Sequence, residues 1–389
     1  MPIWRRAGRA FRRGADNVES SVVEGRAERK CRRFSLGMAS GASHDGAMAT
    51  CIPASERIGG VYYATTRNGI ELPVIDVTHP SFAMDSSDAA VRTLRERGRE
   101  EIARWSRRPA WISRLMLFLF ARRSAMLRAV RSSKGGFLSG MNTYLVKLPP
   151  GHLASSFATA ADRRIARGAQ LAGIRLRLQI MSELLAEQLA RDLTRAPAGA
   201  PIFLLNVAGG PAMDSLNALL LARRQAPAAL AGHPVRIEVL DLHDEAPAFG
   251  RRALDALRAA GAPLAPLDIG FRHEPYDWNQ PESLRGILRG QADGAVGLGS
   301  SEGGLFSYAG DEVIRANLEV LRAGTGRDFT FTGTYSPEHP LTRAALRFSR
   351  AASRFFAPEA FARLVRAAGW RIDRDIEAVG TRCVRLAKA

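Results

Sequence analysis

Four groups of residues in the second half of the chain have the types and spacing to do chemistry together. The first is a turn of small residues, Asn206-Val-Ala-Gly-Gly-Pro-Ala212. Gly209 and Gly210 carry no Cβ and can take positive φ, which lets a ligand come close to the backbone, whereas Ala208 and Ala212 are expected at negative φ. The second is Asp241, which lies 29 residues after Ala212. One carboxylate presents two oxygens, the match for the two hydroxyls of a vicinal diol. The third is Asp277-Trp278, an acid beside a flat apolar ring. The fourth is Gly299-Ser300-Ser301-Glu302-Gly303, which offers two hydroxyls and a carboxylate. For moving a proton the candidates are His273, Glu302 and Tyr308, with His243 and His339 weaker. For each histidine alone, a structural or solvated role is the more common one.

These groups need elements to hold them. An apolar run at 202–205 stops at the small-residue turn, and Leu216, Leu219 and Leu220 then recur on one helical face. That is a buried strand, a tight turn and a helix start. The first N–H groups of such a helix are free to meet an anion. Residues 235–241 alternate and then turn apolar, ending in Asp241, so they read as a second strand. A third strand ends at Tyr276-Asp277-Trp278, and a fourth, 294–298, opens into the group at 299–304. All four groups thus sit at strand carboxyl ends, where open α/β sheets bind ligands. Near the end of the chain a helix runs to Gly369, followed by strands at 370–379 and 381–387 joined at Gly380.

In this arrangement residues 200–389 resemble a class I S-adenosylmethionine-dependent methyltransferase domain. The turn Asn206–Ala212 stands where that family has its glycine loop, D-x-G-x-G-x-G. Asp241 matches the acid that holds the cofactor ribose, and Asp277-Trp278 the acidic segment beside the adenine. The closing helix-Gly-hairpin resembles the antiparallel edge of that fold. The resemblance implies an α/β, Rossmann-like, seven-stranded, mostly parallel sheet with an antiparallel C-terminal hairpin. It implies S-adenosylmethionine as cofactor and methyl transfer to a small-molecule acceptor, with Asn206, Ala208, Gly209, Gly210, Ala212, Asp241, Asp277, Trp278, Ser300 and Ser301 around the cofactor. The chain departs from the family at Asn206, which replaces an acid, and at Ala208 and Ala212, which replace glycines.

Three rivals are weighed beside it. Residues 299–303 match G-x-S-x-G, the strand-to-helix turn of serine hydrolases, with Asp328 and His339 downstream. Gly303, Gly304 and Gly310 would delay the following helix to about Asp311, however, and that reading leaves Asp241 and Asp277 without a role. A nicotinamide-binding domain is disfavoured because 206–212 lacks G-x-G-x-x-G. A non-catalytic binding module on a degenerate methyltransferase fold is the remaining alternative.

The rest of the chain bounds these readings. At 389 residues it has room for two sizeable cores. The net charge is +18, yet only four of the 56 basic residues are lysine. Aromatics make up only 7% and no basic run interleaves with them, so nucleic acid is not the expected partner. Cys31, Cys51 and Cys383 form no C-x-x-C, so no disulfide framework and no metal site is expected, and a reducing cytoplasm is the expected setting. Residues 1–56 read as a basic, disordered tail, with ten basic residues among the first 33 but no apolar signal segment. Residues 57–196 read as a mainly helical cap that chooses the substrate, and 197–389 as the methyltransferase domain, with Pro197 and Gly199 at the boundary. Within the cap, 86–132 has a helical pattern, 132–147 is a Gly-rich loop, 143–148 is a short strand and 160–193 a long helix. The apolar run 115–121 is too short for a bilayer, for which about 20 residues are needed. With Arg122, Arg123, Arg128 and Arg131 it makes a basic amphipathic stretch, a solvated face over a core stripe ahead of a membrane-surface contact.

Overall fold

The computed structural model describes residues 50–107, 139–290, 294–338 and 353–389, together with residues 109, 112 and 124. The tail 1–49, the run 115–121 with its arginines, residues 132–138, Cys31 and His339 lie outside the described residues.

The centre of the molecule is a seven-stranded sheet. Its strands are β3 (Ile202–Val207), β4 (Val235–Asp241), β5 (Ile269–Pro275), β6 (Val296–Ser301), β7 (Thr330–Tyr335), β8 (Trp370–Glu377) and β9 (Arg382–Lys388). The order is β5-β4-β3-β6-β7-β9-β8. The first five strands run parallel, and β9 enters antiparallel between β7 and β8. The order reverses between β3 and β6, so the turns after these strands flank one crevice.

Strand β3 shows why the sheet is buried on both sides. Ile202 and Leu204 enter one core, and Phe203, Leu205 and Val207 enter another. The first core is closed by α4 (Ala169–Leu193), α5 (Met213–Gln225) and α6 (Glu245–Leu257), the second by α7 (Glu282–Leu288), α8 (Leu305–Tyr308), α9 (Asp311–Gly324) and α10 (Pro358–Ala367). In β8 a bulge frees Asp373 to meet Arg385 of β9 at 2.6 Å. Arg385 is fully buried and also reaches Glu187 of α4 at 3.6 Å.

Ahead of the sheet lie a hairpin, β1 (Tyr63–Thr65) with β2 (Glu71–Pro73), and the helices α1 (Asp88–Ser106), α2 (Gly140–Lys147) and α3 (Ala160–Ala166). The hydrophobic core runs across residue 197 without a break: Leu72, Val74, Tyr144 and Leu178 share a cluster with Leu204, Leu216 and Val235.

Local details differ from the sequence reading. Of the residues expected to form a strand at 143–148, 143–147 belong to α2. Ser139 caps that helix by accepting from Asn142 N at 3.2 Å, and Met141, Tyr144 and Val146 are buried. Local capping and burial outweigh the β-branched bias of Thr143 and Val146. The long helix expected at 160–193 is two helices. Thr159 and Asp162 form a capping box for α3, and α4 restarts after Gly168. After β6 the chain enters a helical turn at Leu305, before the expected start at Asp311. No helix among the described residues is long and apolar enough to cross a membrane.

Candidate functional site

Strand β3 ends on Val207, and the next five residues alternate in handedness. Ala208, Gly210 and Ala212 have φ of 53°, 52° and 55°. The expectation of negative φ for the two alanines is therefore wrong. Left-handed backbone costs a residue with a Cβ about 1–2 kcal/mol, and here the surrounding structure enforces it twice. Gly209, by contrast, is not left-handed, and it is needed for space: a Cβ there would stand 2.8 Å from Asn206 Cγ. The three left-handed residues fall at every position where D-x-G-x-G-x-G has glycine.

The turn is tied to β4. Ala208 N donates to Leu240 O at 2.7 Å, and Gly210 N to Asp241 Oδ2 at 3.0 Å. His243 N donates to Asp241 Oδ1 at 3.1 Å. Each Asp241 oxygen thus has one backbone donor and keeps acceptor capacity for a hydroxyl. His273, on the sheet-edge strand β5, places Nε2 2.9 Å from the Asp241 carbonyl oxygen, so it braces this strand end. Leu242 follows directly and is 58% exposed, a degree no other large hydrophobic reaches among the described residues. Sequence reasoning missed it, although an apolar residue just after a strand-end acid was the available signal.

Asp277 accepts from Asn279 N and Nδ2 at 2.9 and 2.8 Å, which builds the turn after β5. Trp278 is partly buried against the second core, and its carbonyl accepts from Asn317 at 2.8 Å. Asp277 and Trp278 therefore shape the wall beyond β4.

Beneath the glycine turn lies a buried polar cluster. Asn206 is fully buried; its Nδ2 donates to Ser300 Oγ and, at 2.9 Å, to Asp214 Oδ1. Ser215 N also donates to Asp214 Oδ1, at 2.9 Å. Asp214, in the first turn of α5, is 2% exposed, and its Oδ2 has no hydrogen-bond partner. Burial pushes the Asp214 carboxyl above its ordinary range, Glu302 adds to this, and the Ser300 hydroxyl, the Lys147 charge and Ser215 N only partly oppose it.

At the end of β6 two cations meet one acid. Lys147 of α2 donates to Glu302 Oε2, and Arg177 of α4 donates from Nε to Oε1 at 2.5 Å. The side chains of Lys147, Arg177 and Glu302 are 5%, 12% and 6% exposed. Burial would raise the Glu302 carboxyl, but the charges and hydrogen bonds of Arg177 and Lys147 outweigh it and hold the group below the usual carboxylate range. With both oxygens engaged, Glu302 is a poor proton acceptor and a strong anchor for the two helices. Lys147, Arg177 and Asp214 were absent from the sequence candidates; the Glu302 partner of the two cations is distant in the chain.

Ser301 is fully buried, and its Oγ accepts from Leu305 N at 2.9 Å, so it ties the end of β6 to the start of α8. Tyr308 ends that helix, half-buried. The turns after β3 and β6 touch: a Cβ on Gly304 would stand 2.7 Å from the Ala208 methyl carbon. The start of α2 leans on the same turn, since a Cβ on Gly140 would stand 3.0 Å from Gly210 Cα. The structure thus gathers Asn206, Ser300 and the glycine turn around the crevice with Asp241 at one side. No group of three or more His, Cys, Asp or Glu residues among the described residues could hold a metal ion.

No family model matches the chain, and no curated protein matches it. Solved structures do. A possible exported protein from Bordetella parapertussis is 18% identical, with a TM-score of 0.50 over 80% of this chain and 99% of its own. Magnesium protoporphyrin IX methyltransferase from Synechocystis, solved with bound S-adenosylhomocysteine, is 13% identical, covering 57% of this chain and 87% of its own at a TM-score of 0.37. Mitomycin 7-O-methyltransferase is 15% identical, covering 79% and 74% at a TM-score of 0.35. The strand order, the reversal between β3 and β6, and β9 inserted antiparallel between β7 and β8 define the architecture: residues 202–388 have the class I methyltransferase fold.

Proposed function

We propose that the chain binds S-adenosylmethionine across the carboxyl ends of β3 and β4 and passes its methyl group to a small-molecule acceptor. The observation that carries this reading is Asp241 beside Leu242. A carboxylate with spare acceptor capacity suits the ribose diol, and an apolar side chain bared to solvent beside it suits the flat adenine. The residues present fit the cofactor in a second respect, since the unpartnered Asp214 oxygen calls for a cation. The cofactor brings a methyl group on a sulfonium, whose leaving group is a neutral thioether. The protein's task is therefore orientation and exclusion of water more than acid or base work. The turn Asn206–Ala212 would hold the methionine part, with Asp277 and Trp278 bordering the adenine. Ser300 and Glu302 would lie near the acceptor, with Glu302 keeping α2 and α4 closed over it. Residues 57–196 would select the acceptor, in a reducing, cytoplasmic setting. Cys383 is buried and its thiol is pushed far up by that burial, which keeps it unreactive.

Calorimetric titration with S-adenosylhomocysteine tests the reading. Binding at micromolar levels is expected, and Asp241→Ala should weaken it by about tenfold or more. A second reading, a binding module that has lost the cofactor, is favoured by the Ala208 methyl group lying against Gly304. Absence of binding in folded protein would establish that reading in place of the first. The hydrolase alternative has Ser301 as nucleophile, and the absence of labelling there by a fluorophosphonate would remove it.

A further inference from the structure

Asn206 removes a charge from the place where the glycine-loop pattern carries an acid. The neighbourhood nevertheless keeps one carboxylate. Asp214 lies eight residues on, at the start of α5, bonded to the Asn206 amide at 2.9 Å. Its Oδ1 is fully used, by Asn206 Nδ2 and Ser215 N. Its Oδ2 is buried with no direct hydrogen bond, and the Ser300 hydroxyl nearby eases its burial only in part. Among the described residues the other buried carboxylate oxygen in that state, Glu238 Oε1, has the Arg272 guanidinium 3.7 Å away. Asp214 has no such pair among the described residues: Lys147, the cation whose charge it feels, is committed to Glu302. Buried polar groups in folded proteins are paired as a rule, and an unpaired carboxylate oxygen is costly enough to need a reason.

We infer that Asp214 carries, in this chain, the negative charge that position 206 has given up, and that its free oxygen receives a cationic group of the cofactor. This rests on the cofactor reading above. Two cationic groups qualify: the α-ammonium, shared by S-adenosylmethionine and S-adenosylhomocysteine, and the sulfonium, present in S-adenosylmethionine alone. The Asn206 amide fits the exchange. Its Nδ2 spends its hydrogens on Asp214 and Ser300, so it orients the carboxylate instead of competing with it. An acid at both positions would set two carboxylates against each other in a dry site. That pairing raises the proton affinity of one of them and destabilises the fold.

The test uses the full chain with three changes: Asp214→Asn, Asn206→Asp, and the two combined. Circular dichroism and thermal melting without ligand establish that each is folded. Calorimetry then gives the affinity for S-adenosylmethionine and, separately, S-adenosylhomocysteine. Asp214→Asn is expected to weaken binding by about tenfold or more, the size of a charge-assisted hydrogen bond lost in a buried site. Weakening of both ligands assigns the ammonium, and weakening of S-adenosylmethionine alone assigns the sulfonium. Asn206→Asp alone should melt lower than the unaltered chain, and the combined swap should recover most of the lost affinity by returning a single charge to the strand end. Should Asp214→Asn fail to fold, the swap against Asn206→Asp still reads the charge. A folded Asp214→Asn that binds both ligands like the unaltered chain would overturn the inference and leave Asp214 as a helix-start residue only. An unaltered chain that binds neither ligand would instead overturn the cofactor reading, and the inference with it.

Discussion

Changing Glu302 to glutamine probes how α2 and α4 are held to the sheet. The carboxylate accepts from Lys147 on α2 and Arg177 on α4, and all three side chains are nearly dry. Glutamine keeps one acceptor oxygen, turns an NH₂ toward one cation, and leaves two positive charges without a counter-ion. Removing one partner of a buried ion pair costs about 3–5 kcal/mol. With two cations exposed at once the upper half of that range is expected. In a chain of this size such a loss lowers the melting temperature by roughly 5 °C. Urea unfolding followed by tryptophan fluorescence reads it directly. A control replaces all three residues by methionine. Apolar groups of similar volume need no counter-ion, so this variant should regain most of the loss. The dependence on pH has a defined sign. The folded-state carboxyl lies below its ordinary value of 4.5. Its contribution is therefore complete above that value and fades as pH falls through the lowered one, and the glutamine variant should lack this part of the acid limb. A loss below about 1 kcal/mol, the size of an exposed pair, would refute the reasoning and mean that water reaches the three charges.

Ala208→Gly should stabilise the chain by about 0.5–1 kcal/mol, since relief of the left-handed strain exceeds the added unfolded-state entropy. Ala212→Gly gives up a fully buried methyl group as well and should come out near neutral by the same urea titration. Gly209→Ala would drive a methyl group to 2.8 Å from Asn206 Cγ, and a loss of about 1–3 kcal/mol is expected; an unchanged midpoint would mean that the turn relaxes freely. His152 stacks on Phe82 with ring centroids 3.8 Å apart, and burial, aided by His79, lowers its pKa to about 4. A histidine depressed in the folded state favours folding above its unfolded pKa, so stability should fall between pH 6.5 and about 4. His152→Gln should flatten that limb, and an unaltered acid limb would show that His152 is not its source.

Strands β3, β4 and β6 were legible as short, largely apolar runs ending in a recognisable turn, and β3, buried on both faces, gave the clearest signal; β7, Thr330–Tyr335, was not named, since its threonines read as polar although every residue is buried. The hairpin at the end was legible from Gly369 and Gly380. Helix α2 was misread because its β-branched residues argue for a strand locally, while the burial of Tyr144 that decides the matter is a tertiary event. The glycine turn was read by residue type, so two alanines looked like losses. Its backbone shows that the left-handed pattern survives them at a cost in strain. Asp241 was found because acid and strand share one short segment. Lys147 and Arg177 were not found, because Glu302 lies 155 and 125 residues away from them and only folding brings them together; Asp214 was passed over as an ordinary acid in a helix's first turn, since its burial is a tertiary event.

The position of β9 has a consequence for biosynthesis. It is the last of the described strands to leave the ribosome, yet it lies inside the sheet, with β7 on one side and β8 on the other. Until residues 382–388 emerge, both neighbours expose unpaired edges, and Glu187 and Asp373 lack the arginine that joins them. The nascent chain can assemble β3 to β7 early but cannot seal the sheet before residues 382–388 have been made. A stop codon ahead of residue 382 would leave two sticky edges, so such a chain should be met by chaperones and proteases long before any question of activity arises.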